Sequence, residues 1–316
     1  MHHISTVFAA IDQHNELCRA GRATRPVGPA SVQRIRATLR GALSDAVRQG
    51  LLTTNPAALV KLPTARKPKG LVWTADRVER WQAQVDQLTA KGKRLRKARE
   101  LVATPSAVMV WRPDQLGQFL DSAAEHRLYA LWHLYAFRGL RRGEACGLEW
   151  PEVDLTGSTI AIVRQRISTR GVVYEDVPKS DAGIRTISLD AGTVAALRAH
   201  RKRQMAERLA TGASWVMSDK VFCAEDGSPL NPNDISEWFE DLTLDAGLPP
   251  IRLHDLRHVA ASLMLAAGVD MKVVQETLGH SNIGLTANTY TSIYPDVATA
   301  AAEATAAIVP RAQRDA

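Results

Sequence analysis

The stretch HDLRHVAASLMLAAGVDMKVVQETLGH, residues 254–280, predicts a pair of consecutive helices. Its apolar residues recur at helical spacing, and Gly268 is placed to end the first helix. Asp270 follows at a position from which its carboxylate can cap the second helix. The stretch therefore predicts a helix-turn-helix-like unit that packs an apolar face against a core.

Three polar side chains, His254, Arg257 and His258, stand at the head of this otherwise apolar, alanine-rich unit. They are three and four positions apart, so we expect them to share one face of the first helical turn. The N-terminal end of a helix carries a partial positive charge, which adds to the charge of an arginine. The arrangement predicts a binding site for an anion.

The chain has 316 residues and a net charge of +7, and this charge is unevenly distributed. Residues 1–105 hold 19 Lys and Arg against 7 Asp and Glu, or +12, whereas residues 106–316 hold 21 against 26, or −5. A basic surplus of this density is typical of a protein with a polyanionic partner, most often a nucleic acid. A basic surface that serves only solubility is the alternative.

Membrane proteins and disulfide-rich secreted proteins are excluded by composition. The sequence shows no apolar run long enough to span a bilayer and no charged-then-apolar leader, which predicts a cytoplasmic protein without a membrane segment. The three cysteines, Cys18, Cys146 and Cys223, are odd in number and far apart, so they offer neither a disulfide framework nor metal-ligand spacing. A reducing compartment fits this pattern.

A zinc site at His254 and His258 is the alternative to an anion site, because histidines four positions apart occur in zinc metalloproteases. That motif requires a glutamate after the first histidine, where this chain has the shorter Asp255. Arg257 would also place a positive charge beside the metal ion. We therefore expect no metal and no cofactor.

Helical periodicity dominates the chain and is interrupted once by a strand pattern. Residues 28–50 predict one amphipathic helix, and another begins at Thr74. Residues 91–100, KGKRLRKARE, have little apolar surface to bury and predict a solvated linker or insertion. Within the more apolar part after Pro105, residues 158–189 predict three short strands. The predicted fold class is mainly α with a small antiparallel β-sheet.

Three separated stretches carry a family resemblance: RGLRRGEACGLEW, VPKSDAGIRTI, and the opening segment continued to LGHSNIGLTANTY. In this order and composition they resemble the tyrosine recombinases, the phage integrase family. The resemblance implies the tyrosine recombinase catalytic fold over residues 107–295, preceded by a helical core-binding (DNA-binding) domain over residues 1–66. Residues 67–106 are then expected to form a basic linker or insertion, and residues 296–316 a C-terminal tail.

Two motifs of this resemblance concern arginines. GLRRGE resembles the box that holds the family's first catalytic arginine, which implies Arg141 in that role and Glu144, one turn later, as its support. HDLRH resembles the His-x-x-Arg box, which implies that His254 and Arg257 are catalytic.

The remaining motifs supply the other expected catalytic residues. LGH places His280 at the position that the family fills with His or Trp, and Tyr290, ten residues later, falls where the nucleophile is expected. Lys179, in the turn between the second and third predicted strands, matches the family's catalytic lysine. Tyr294 follows Tyr290 at helical spacing and remains an alternative nucleophile.

These residue types suit the cleavage of a phosphodiester without a metal ion. Two guanidinium groups offer paired donors to the oxygens that gain charge in the reaction. A tyrosine hydroxyl can attack the phosphorus, and His254 can accept its proton. By the family resemblance, Lys179 protonates the leaving 5′ oxygen, and the product is a 3′-phosphotyrosyl link.

The resemblance thus implies a site-specific DNA recombinase, or integrase, that acts on double-stranded DNA attachment sites as a homotetramer in the synaptic complex. A chromosome-dimer resolvase and a relaxing topoisomerase would use the same chemistry. From another class, a catalytically idle DNA-binding remnant of a mobile element is the alternative. A covalent protein–DNA adduct distinguishes the enzymes from the binding protein.

Two expectations concern the ends of the chain. The first residues resemble the middle of a core-binding bundle, so we expect a helix from Ser5 to Arg19 whose apolar face stays partly open, and an N-terminally truncated domain. Residues 296–316 carry a stripe of small apolar residues. This tail either completes the core of its own protomer or docks on a neighbouring one.

Overall fold

The computed structural model describes residues 2–62, 69–178 and 180–282. Contacts between Cα atoms divide the chain into two compact units, Met1–Lys67 and Pro68–Ala316. Among the helices described here, none is both long enough and apolar enough to cross a membrane.

Within residues 2–62, the first unit forms two helices and a short 3₁₀ helix. Helix α1 (His2–Arg19) and helix α2 (Pro29–Arg48) are followed by the 3₁₀ helix Pro56–Leu59. Asn55 precedes this turn, and its side-chain amide donates to the carbonyl of Arg40 at 2.8 Å, which ties the turn to α2. Helix α2 lies within residues 28–50, as the periodicity predicts.

The first unit buries little apolar surface. Phe8 and Ala57 are buried, but Val7, Leu17 and Ile35 are 39–48% exposed. No residue of α2 is buried. The partly open apolar face expected from the sequence is therefore present in the described part of this unit.

The second unit arranges its helices around a hydrophobic core rich in aromatic residues. Short 3₁₀ helices, Trp150–Glu152, Asp181–Gly183 and Gly212–Ser214, connect some of the larger elements. The described helices of this unit are α3 (Ala75–Ala90), α4 (Leu95–Leu101), α5 (Pro113–Ser122), α6 (Tyr129–Arg138), α7 (Arg142–Gly147), α8 (Ala191–Thr211), α9 (Pro232–Asp245), α10 (Asp255–Ala266) and α11 (Met271–Leu278).

The strands found in the described residues form three small sheets. The first two strands form a parallel pair, the third, fourth and seventh strands form an antiparallel sheet with the fourth in the centre, and the remaining two strands form an antiparallel hairpin. The strands are β1 (Leu71–Val72), β2 (Met109–Val110), β3 (Val153–Asp154), β4 (Thr159–Ile162), β5 (Gln165–Thr169), β6 (Val172–Asp176) and β7 (Arg185–Ser188).

The prediction of a single sheet from three strands needs correction, because the first predicted strand is divided into two strands, β4 and β5. Strand β4 buries Ile160 and Ile162 and pairs with β7, whereas β5 has no fully buried residue and pairs with β6. Residues 163 and 164, between these two strands, do not belong to either strand. Strand β4 packs in the core and β5 does not, so the two strands belong to different sheets. The fold is mainly α with small antiparallel sheets.

The segment predicted as a basic linker is folded into the second unit. Helices α3 and α4 place Trp81, Val85 and Ala98 in its hydrophobic core. Arg99 stacks its guanidinium over the Trp81 ring, 5.0 Å from the centroid. The interpretation of residues 67–106 as a linker is therefore wrong for its described part, because the apolar residues of α3 and α4 are buried in the core of the second unit.

Two buried tryptophans hold the loop that precedes α10. The indole N–H of Trp73 donates to the carbonyl of Pro250 at 3.0 Å, and that of Trp111 donates to the carbonyl of Pro249 at 2.8 Å. Both rings are fully buried. The β1-β2 region thus fixes the loop whose following residues begin α10.

Candidate active site

The helix pair that the sequence predicts over residues 254–280 is present as α10 and α11. Asp270 caps α11 by accepting the backbone N–H of Lys272 at 2.7 Å. Gly268, with φ of +76°, follows the end of α10. Helix α10 packs on α6, and α11 contacts β7, so segments distant in sequence meet at this helix pair.

Arg257 lies in the first turn of α10 and is buried, with 3% of its surface exposed. Its Nη1 donates to the carbonyl of Gly139 at 2.8 Å, and its Nη2 donates to the carbonyl of Leu278. These carbonyls belong to the ends of α6 and α11. The buried guanidinium is therefore fixed by the backbone of two other helices.

Arg141 approaches from the start of α7 and is braced in a similar way. Its Nη1 contacts Glu144 at 2.5 Å, and its Nη2 donates to the carbonyl of Gly279 at 2.7 Å. The backbone N–H of Arg141 donates to the same carboxylate at 2.9 Å. Glu144 is therefore placed to orient Arg141. The sequence resemblance implies the same supporting role for Glu144.

Arg185 of β7 completes this network, although it was not among the residues predicted from the sequence. Its Nη1 and Nη2 donate to the two carboxylate oxygens of Glu144 at 3.0 and 2.9 Å, and its Nε donates to the carbonyl of Thr277 at 2.8 Å. A signal was present, because Arg185 shares a strand face with the buried Ile187. An arginine on a buried face requires a carboxylate or carbonyl partner.

Glu144 is almost completely buried, with 1% exposure, yet it stays ionised. Burial alone would raise the pKa of its carboxyl group, but the hydrogen bonds and charge of Arg185 and the charge of Arg141 lower it to about 2. The carboxylate can therefore balance two arginines throughout the neutral pH range.

His280 lies near both Arg141 and Arg257. It is 8% exposed, and its backbone N–H donates to the carbonyl of Gln275 at 3.1 Å. Burial, followed by the positive charges of Arg257 and Arg141, lowers the pKa of the imidazole to about 3. The ring is therefore neutral at neutral pH.

His254 and His258 form an edge-to-face pair with ring centroids 5.7 Å apart. His254 lies exposed at the rim of the site, where partial desolvation and the charge of Arg257 lower its pKa. Burial lowers the pKa of His258 to about 4. A neutral His254 beside two arginines is able to accept a proton.

The pKa of His280 predicts an early loss of stability in acid. Its folded-state pKa of about 3 lies below the unfolded value of about 6.5, so the unfolded chain binds more protons between these values. The free energy of unfolding should fall as pH drops from about 6.5. In His280→Gln this fall should be smaller, as measured by urea unfolding at about pH 7 and about pH 5.

The control for this experiment is His14→Gln, which changes a histidine of the first unit. This variant controls for the loss of a histidine as such. Identical dependence in His280→Gln and wild type would contradict the assignment of this stability term to His280.

The structure brings five of the predicted site residues together: Arg141, Glu144, His254, Arg257 and His280. The charges of both arginines act on both His254 and His280. Lys179, Tyr290, the alternative Tyr294 and the tail 296–316 lie outside the described residues. Across residues 2–62, 69–178 and 180–282 there is no group of three or more His, Cys, Asp or Glu placed to hold a metal ion.

The sequence matches the model of the phage integrase family over residues 110–296, which is more than half of the chain. The chain belongs to the phage integrase family. All five clustered residues fall inside the matched segment, so the region of family similarity and the candidate site coincide.

Relatives of this member of the phage integrase family carry recombinase and integrase names. The tyrosine recombinase XerC-like protein of Caldanaerobacter subterraneus is 31% identical over 60% of this chain and 52% of its own length. The integrase of Saccharopolyspora erythraea is 24% identical over 81% of this chain and 62% of its own length. The chain thus spans about half to three fifths of these relatives.

Solved structures show the same fold. The Tn1549 transposon integrase in complex with a circular intermediate DNA aligns with a TM-score of 0.62 and 20% identity, over 94% of this chain and 84% of that one. The XerA recombinase aligns with a TM-score of 0.51 and 19% identity, over 98% and 93% of the two chains. At these identities the likeness establishes the architecture of this phage integrase family member.

Proposed function

We propose that this chain is a site-specific DNA recombinase that breaks and rejoins DNA through a 3′-phosphotyrosyl intermediate. The observation that carries the proposal is the pair of braced arginines, Arg141 and Arg257, beside the neutral imidazoles of His254 and His280. Membership of the phage integrase family supports it.

The arginine pair suits a phosphodiester because each guanidinium has five N–H donors in a planar arrangement. Backbone carbonyls and Glu144 hold the two groups in place before any substrate binds. Donors that are fixed in advance stabilise the charge that develops on the non-bridging oxygens without a cost of reorganisation. The site is thus organised for a phosphoryl transition state.

The chemical step uses two further residues whose roles follow from the family resemblance. The Tyr290 hydroxyl attacks phosphorus, forming an O–P bond while the bond from phosphorus to the 5′ oxygen breaks. The tyrosine proton passes to neutral His254, and Lys179 protonates the leaving 5′ oxygen. Attack by another 5′-hydroxyl on the phosphotyrosine reverses these steps and joins a new strand.

The partner is double-stranded DNA that carries attachment sites, with four protomers in the synaptic complex. The Tn1549 integrase, solved with DNA, shares the fold, and residues 1–105 of this chain carry a surplus of +12. In this proposal residues 1–66 bind DNA as a core-binding domain, and residues 107–295 catalyse cleavage. A cytoplasmic location remains a prediction.

The deciding experiment is the trapping of a covalent adduct. A labelled nicked duplex is built on the repeated core sequence found in the genomic flanks of the gene, and the protein is incubated with it. A slow band on a denaturing gel that protease removes is the expected result. DNA binding without an adduct would favour the idle DNA-binding remnant. If neither binding nor an adduct is seen, both the recombinase and the DNA-binding remnant are contradicted.

Lys179→Ala tests the general acid. The variant should cleave the ordinary substrate about 10²- to 10⁴-fold more slowly, because the leaving 5′ oxygen loses its proton donor. A substrate with sulfur at the 5′ bridging position should restore cleavage, since a thiolate leaves without protonation. Equal defects on both substrates, measured as single-turnover rates, would show that Lys179 is not the acid.

A further inference from the structure

The β5-β6 hairpin lies directly against α7, the helix that begins after Arg141. Two glycines on one face of α7 allow this contact. A Cβ at Gly143 would lie 2.5 Å from the carbonyl oxygen of Arg166, and a Cβ at Gly147 would lie 3.0 Å from the Cα of Gln165. The backbones of α7 and β5 are therefore closer than a residue with a Cβ atom at Gly143 would permit.

Lys220 fastens the other strand of the hairpin to the same helix. Its side chain is 3% exposed, and its Nζ lies 2.8 Å from Glu149 and 2.7 Å from Glu175. The same ammonium donates to the carbonyl of Gly147 at 3.2 Å. One buried cation thus joins the C-terminal end of α7, the residue two positions beyond it, and β6.

A buried lysine is unfavourable unless carboxylates and carbonyls replace its water, and here they do. Replacing buried ion pairs by apolar residues of similar volume is often neutral or stabilising, so the geometry that this network enforces explains it better than stability does. That geometry relates α7 to β6, which ends at Asp176, three positions before Lys179 in the sequence.

We propose that Lys220 is a positioning residue, which holds β6 on the end of α7 and so sets the spacing between Arg141 and the segment that follows β6. The inference rests on the proposed function, in which Lys179 of that segment is the general acid. Without Lys220, β6 keeps its pairing with β5 but loses its ionic link to the end of α7. The loss therefore impairs proton donation to the leaving oxygen more than stabilisation of the phosphate.

Lys220→Met is the variant of choice because it leaves no carboxylate without a partner. Glu149 keeps Arg164 at 2.9 Å, and Glu175 keeps Arg166 at 3.0 Å. Methionine fills a similar volume without charge. Circular dichroism and DNA affinity check that the variant is folded.

The matched control is Arg127→Met. Arg127 is also a partly buried cation of the second unit, paired with Glu207 at 2.6 Å and donating to the carbonyl of Cys223 at 2.7 Å. None of these partners belongs to α7 or the hairpin. The control therefore removes a cation of the second unit without touching the proposed connection.

The measurement compares single-turnover cleavage of the oxygen-bridged and the sulfur-bridged substrate. Lys220→Met should cleave the oxygen substrate about 10- to 100-fold more slowly than wild type, and the sulfur substrate at close to the wild-type rate. Arg127→Met should keep the wild-type ratio of the two rates. Glu175→Gln, which removes the charge of the partner and keeps its shape, should change the ratio in the same direction.

The outcomes separate this inference from the function on which it rests. If sulfur rescues Lys179→Ala but not Lys220→Met and Glu175→Gln, the acid stands and the positioning role is overturned. Wild-type rates in both variants on the oxygen substrate overturn it as well. A wild-type protein that forms no adduct with either substrate removes the proposed function and this inference together.

Discussion

Tyr290→Phe is expected to abolish the covalent protein–DNA adduct while leaving DNA affinity unchanged. The substitution removes one hydroxyl and keeps the ring, so the fold and the DNA contacts are preserved while the nucleophile is lost. Loss of a covalent nucleophile lowers cleavage by more than about 10⁴-fold. The adduct is measured on a denaturing gel with the nicked duplex, and affinity by a mobility shift.

Tyr294→Phe is the control for this prediction. Tyr294 lies at helical spacing from Tyr290, and its loss should leave the adduct at the wild-type level. The opposite pattern, an adduct that survives in Tyr290→Phe and disappears in Tyr294→Phe, would transfer the nucleophile to Tyr294.

Arg257→Lys is expected to lower single-turnover cleavage by about 10²- to 10³-fold at saturating DNA. An ammonium is a compact charge, so it cannot contact the carbonyls of Gly139 and Leu278 and also present a planar pair of donors to the phosphate. Arg141→Lys should show a defect of the same order, because Arg141 bridges Glu144 and Gly279 in the same manner. Both rates are compared below the melting temperature of the least stable variant.

Arg142→Lys controls for a general need for positive charge. Arg142 is adjacent to Arg141 in the sequence, but its Nη1 donates to the hydroxyl of Ser236 at 2.9 Å. It should cleave within a few-fold of wild type. An equal loss in Arg142→Lys, or near-normal cleavage by Arg257→Lys, would contradict a specific arginine clamp.

Part of the site could be predicted because it depends on patterns of residues that are close together in the sequence. The spacing of apolar residues around Gly268 and Asp270 predicts α10 and α11, since a helix repeats its contacts every three or four residues. By the family resemblance, the order of the motifs implies Arg141, His254, Arg257 and His280 as site residues, which stays a prediction. One local expectation was incomplete: Arg257 is buried, while His254 of the same turn is exposed, because the ends of α6 and α11 cover only part of that face.

The sequence by itself determined the mainly helical class, the helix pair and the residue types of the site, because these depend on neighbours within a few positions. Tertiary structure alone decided that Arg185 shares Glu144 with Arg141, and that Lys220 joins α7 to β6. It also decided that the basic segment around Ala98 belongs to the core. Such pairings join residues tens of positions apart, and a buried charge reveals its partner only when packing has brought the two segments together.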